Sequence, residues 1–132
     1  MRDNKALSSS GNEYLDVFVD YKLVRLCMDC YHALGWKTIN TNPGITSARL
    51  RFVREKAIKN RTELCKLQRV CEDALIELEG LERIKIRIRL GIASIIHYKL
   101  AGENENKINQ EKNLYYDVIY RACKEAQKLI GS

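Results

Sequence analysis

From residue 60 onward apolar side chains recur at alternating three- and four-residue steps, at Leu64, Leu67, Cys71, Ala74, Leu78 and Leu81. This seam constrains the chain more than any other feature. It marks a helix that must bury one stripe along nearly three heptads, in the manner of a coiled coil. A matching stripe follows at Ile108, Tyr115, Val118, Ile119, Ala122, Ala126 and Leu129. Two long helices joined by a short connection pack antiparallel, so residues 59–131 are expected to form a long helical hairpin. Asn60 is placed as the cap of the first helix, with Glu63 three residues on as its capping-box partner.

The hairpin's turning region has two periodicities. Ile84, Ile86, Ile88 and Leu90 alternate with Lys85, Arg87 and Arg89 as a strand would, whereas Ile84, Ile88, Ile92, Ile95 and Ile96 share one helical face. A strand here would need a fresh partner, so the helical reading to about residue 100 is preferred. Gly80 and Gly91 each weaken that helix by about 1 kcal/mol and mark bends. Residues 101–106 read as a polar turn.

The first half has a different period. Leu15, Val17 and Val19 alternate with Asp16, Phe18 and Asp20, which is a strand with one buried face. Leu23, Cys27, Cys30, Tyr31 and Leu34 then share a helical side, and Gly35 stands where a left-handed helix terminus favours glycine. Extended character resumes over 36–40, Asn42, Pro43 and Gly44 signal a turn, and Leu50 and Phe52 alternate with Arg49 and Arg51 in a further strand over 48–54. The simplest sheet places the third strand between the first two, with the helix on one face and the other face open. The fold class is therefore α+β: a small three-stranded sheet (strand-helix-strand-strand, residues 13–58) packed as one unit with the hairpin. The polar, Ser-containing residues 1–12 are read as a disordered tail.

With 132 residues, 45% of them hydrophobic, the chain suits one domain. No window approaches the roughly 18 apolar residues of a membrane span, so a cytoplasmic location is expected. Five cysteines, odd in number and set within helical patterns, are expected to be reduced. Cys27 and Cys30 have CxxC spacing, but both lie mid-helix on the apolar side, away from the helix N-terminus that activates a redox thiol. Neither His32 nor His97 has ligand spacing to a cysteine, so these thiols are assigned to packing and no metal or cofactor is expected. Asp29 and His32 are ordinary neighbours on a helix surface, and Glu77, Glu79 and Glu82 are read as an acidic patch solvating a helix. No nucleophile elbow, phosphate loop or zinc-protease motif occurs, so no catalytic residues are assigned and an enzyme is not expected.

At this point the residues resemble a family of small, uncharacterised proteins of Gram-positive bacteria, built from a cytosolic α/β portion followed by two transmembrane helices. The likeness is carried by YHALGW at 31–36, LRFVREKAIKNRTEL at 50–64, LQR at 67–69, LER at 81–83 and YDVIYRACKEAQKL at 116–129, and it covers most of 13–130. Where those relatives carry a transmembrane hairpin, this chain offers only residues 84–100, so the anchor of the family is missing from the resemblance. The family has no established activity to carry over.

Function is thus expected to be that of a non-enzymatic interaction or scaffold module, self-associating or binding a protein partner through Ile84, Ile88, Ile92, Ile95 and Ile96, because exposed apolar patches find partners. Charge supplies the alternative. The chain carries a formal +6, concentrated at Arg49, Arg51, Arg54, Lys56 and Lys59 and again at Arg83, Lys85, Arg87 and Arg89. The first group, beside Phe18, would bind RNA or another polyanion through phosphate contacts and stacking. Both groups would also suit peripheral attachment to the anionic inner face of a membrane.

Overall fold

The computed structural model describes residues 2–7, 11–89 and 101–131, with side chains described over 11–87 and 105–131. Strands β1 (Arg2–Leu7) and β2 (Asn12–Asp20) lead through a 3-10 turn into helix α1 (Val24–Ala33). Strands β3 (Lys37–Pro43) and β4 (Ser47–Glu55) precede the long helices α2 (Arg61–Arg89) and α3 (Ala101–Gly131).

The sheet is antiparallel throughout, in the order β1-β2-β4-β3. The expected arrangement of β4 between β2 and β3 is present, with β2 and β4 in register from Asn12–Glu55 to Asp20–Ser47. Residues 2–7 are a fourth strand on the free edge of β2, where the sequence reading places a disordered tail. Their polar composition has no period-two apolar signal; an unpaired strand edge offers backbone partners regardless of side chain. On the opposite edge, the β3 register shifts between Thr38 and Asn40 as a bulge.

All helices cover one side of the sheet. Leu15, Val17 and Val19 of β2 and Leu50 and Phe52 of β4 are buried against Cys27, Tyr31 and Leu34 of α1, Leu64, Leu75 and Leu78 of α2, and Ile119, Ala122 and Ala126 of α3, in one continuous core. Burying a Leu- or Phe-sized side chain contributes about 1.5–3 kcal/mol, so this shared face is the main source of stability. Helix α1 ends in a Schellman motif: Trp36 N–H donates to Tyr31 O at 2.9 Å and Gly35 N–H to His32 O at 3.1 Å, with Gly35 at φ +93°.

Contacts along α2 and α3 run in opposite order, from Asn60 with Leu129 to Glu82 with Lys112 and Lys85 with Asn109, so the two helices form the expected antiparallel hairpin. Leu81 and Ile108 bury a small second cluster with Ile84 and Tyr115. Helix α2 continues through Arg89, which resolves residues 84–89 as helix, and residues 90–100 lie outside the described ones. The turn expected at 101–106 is instead the start of α3, because polarity does not distinguish a turn from the solvent side of a helix. Asn60 precedes α2, and its carbonyl accepts from Leu64 N–H at 3.0 Å. Its side-chain amide donates to Leu129 O at 2.8 Å, and so caps the end of α3.

Candidate functional site

Strand alternation sends half of each strand away from the helices. Tyr14, Asp16 and Phe18 of β2 therefore share the uncovered face with Arg49, Arg51 and Val53 of β4, paired Tyr14–Val53, Asp16–Arg51 and Phe18–Arg49. Register adds Asn40 and Asn42 of β3 beside Arg51 and Arg49, and Lys37 beside Val53. Asp16 sits between the two arginines: Arg49 Nη2 is 3.0 Å from Oδ2 and Arg51 Nε 3.6 Å from Oδ1. Each guanidinium also faces a ring, Arg51 at 5.5 Å from the Tyr14 centroid and Arg49 at 6.0 Å from that of Phe18. One carboxylate offsets one of the two cations. The patch keeps positive charge, two planar cations and two aromatic rings on a sheet surface, with Phe18 40% exposed.

The other polyanion-assigned residues are placed differently. Arg54 is 3% exposed and lies on the covered face, in phase with Leu50 and Phe52. Its guanidinium stacks 4.2 Å from the Trp36 centroid, donates to Leu34 O at 3.0 Å and pairs with Glu13 at 3.2 Å. Glu13 also pairs with Arg61, and that bond raises the Arg61 guanidinium above its ordinary range. Arg54 is thus a structural cation and leaves the polyanion set, because burial with a paired carboxylate gives it no access to phosphate. Lys56 is half-buried beyond β4, its N–H donating to Gly11 O at 2.9 Å, and Lys59 is exposed in the loop before α2. Neither shares the face of Arg49 and Arg51.

Of the hairpin residues assigned to interaction, Ile84 is half-buried against Leu81 and Ile108. The backbone of Ile88 lies near the end of α2, and Ile92, Ile95 and Ile96 fall outside the described residues. The acidic patch is corrected: only Glu77 faces water. Glu79 accepts from Asp20 N–H at 2.9 Å, and Glu82 pairs with Lys112 and, at 3.4 Å, with Lys22. Burial pushes the Glu82 carboxyl up, but the Lys112 and Lys22 ammonium groups outweigh it and hold it below the usual range. His32 contacts Thr38 Oγ1 at 2.7 Å.

One cluster escaped the sequence reading. Cys30 of α1, Cys71 of α2 and Cys123 of α3 place their sulfurs within 4.8 Å of one another, the first two buried and the third half-buried. Hydrogen bonds with Cys123 are the largest influence raising the thiol pKa of Cys30 and Cys71, that of Cys71 to about 12, with burial adding to it. Cys123 receives those bonds and is the most readily deprotonated of the three. Cys30 and Cys71 occupy the apolar stripes of their helices and Cys123 borders that of α3; only the packing of three helices brings them together. No family model, curated protein or solved structure matches this chain.

Proposed function

We propose that this chain is a non-enzymatic binding module whose working surface is the open face of the sheet and whose ligand is single-stranded nucleic acid. The observation that supports it is the pairing of Tyr14 with Arg51 and Phe18 with Arg49, side by side on an uncovered sheet and oriented by Asp16. Bases stack on aromatic and guanidinium planes irrespective of sequence, and the same cations meet the phosphates. Asp16 pairs with both guanidinium groups until a phosphate takes its place.

The test is fluorescence anisotropy with a single-stranded RNA oligomer. Binding is expected at low salt, with log K falling by about 1.4 per log unit of salt if two phosphates are contacted. Arg49→Ala with Arg51→Ala should remove that dependence, and Phe18→Ala should weaken binding about tenfold or more, the value of one stacked base. Absence of any signal at low ionic strength sinks the proposal.

A second reading rests on the outer edge of the hairpin. Val70, Ile76 and Val118, each 40–48% exposed, surround a groove of about 490 Å³ beside Tyr115. Self-association there would move the contact surface from the 84–96 stretch onto the body of the helices. An RNA-silent chain that sediments as a dimer would favour it.

A further inference from the structure

We propose that Cys30, Cys71 and Cys123 form a binding site for a soft metal or metalloid ion held by three sulfurs alone. Their sulfurs converge from three separate helices to within 4.8 Å of one another. Metal–thiolate bonds of about 2.3 Å arranged in a plane put the sulfurs about 4.0 Å apart, so closure needs shifts of under about 1 Å. A cleft of about 580 Å³ between α1 and α3, lined by Leu26, Cys30, Tyr116, Tyr120, Cys123 and Lys124, gives entry from solvent. Cys123 stands at that entrance, half-exposed, with Cys30 beside it and Cys71 behind.

The donor set decides the ligand class. Thiolates select soft ions, and among the described residues no histidine or carboxylate joins the three sulfurs. Zn(II) in structural sites takes four ligands, so a closed set of three suits ions that stop at three, Cu(I) and As(III). With arsenous acid, three As–O bonds break and three As–S bonds form; each thiol proton leaves in one of three waters, and no electron is transferred. With Cu(I), three Cu–S bonds form and the thiol protons pass to solvent, again without oxidation. The CxxC partner Cys27 is not a member of the cluster.

The test uses the reduced full chain and two probes, arsenite and Cu(I) supplied from a weak chelator. Native mass spectrometry should show one arsenic per chain, with three hydrogens lost, and X-ray absorption on a copper-loaded sample should count three sulfurs. Uptake of either probe in this form supports the site and tells which ion it prefers. Cys27→Ser and Cys65→Ser should keep the adduct, and Cys123→Ser should lose it. The proposal fails if the wild-type chain leaves both probes unbound, if arsenic displaces only two hydrogens, if the three-bond adduct persists in Cys123→Ser, or if only Zn(II) with a fourth ligand is taken up. The wild-type measurements decide the matter even if Cys123→Ser does not fold.

Discussion

A change of phase along one strand separates Arg51, half-exposed beside Tyr14, from Arg54, buried over Trp36. Both belong to one basic run, yet Arg54 is an even-numbered position in step with Leu50 and Phe52, and Glu13 is in step with Leu15, Val17 and Val19. That parity was legible and would have placed both ions on the covered face; net charge alone obscured it. The buried pair is met by Leu34 O and the Trp36 ring on Arg54 and by Arg61 on Glu13, and Gln68 receives the Trp36 indole N–H at 2.9 Å, while Arg54 Nε has no hydrogen-bond partner among the described residues. Gly35 is the residue where backbone conformation decides. At φ +93° an added Cβ is strained whatever the space, and it would also lie 2.5 Å from the flexible end of Ile58. Gly35→Ala should therefore cost about 1–2 kcal/mol, read as a lower urea midpoint with an unchanged slope.

At the scale of elements, the seams of α2 and α3, the strands β2 and β4 and the glycine exit of α1 could be read from residue spacing, because each buries one periodic face. β1 could not, since its pairing is made by backbone groups that side chains do not report. The three-cysteine convergence was equally hidden: Cys30 and Cys71 are unremarkable stripe residues, Cys123 borders the stripe of α3, and only the antiparallel offset of α3 on α2 sets Cys123 beside Cys71. Gly80 offers a cleaner test of helix α2 than of its packing. It lies within the helix with nothing within 4 Å of an added Cβ, so Gly80→Ala should stabilise the chain by about 0.5–1 kcal/mol. A raised thermal midpoint would verify this, and a lowered one would mean that the bend expected at Gly80 is required.

Taken as a whole, the molecule joins its outer hairpin to the sheet layer through charge as well as apolar contact. Glu82 of α2 meets Lys112 of α3 and Lys22 just after β2, so one carboxylate ties three parts of the chain. Its folded-state proton affinity lies below the ordinary value of about 4.3, so the stabilisation it supplies is present above that pH and is lost as pH falls through the lower folded value. Glu82→Gln should cost about 1–3 kcal/mol at neutral pH, the range of a charged hydrogen bond. Urea titrations of variant and wild type should converge as pH falls through the lowered folded value of Glu82; a gap that persists in stronger acid would assign the effect to shape rather than charge. The β3 rim has a broader consequence. Its ladder is broken between Thr38 and Asn40, and Pro43 has no N–H to offer an incoming strand. Copies of this chain meeting at that rim are poorly matched for a continuous ribbon, so concentrated samples are guarded there against fibre growth.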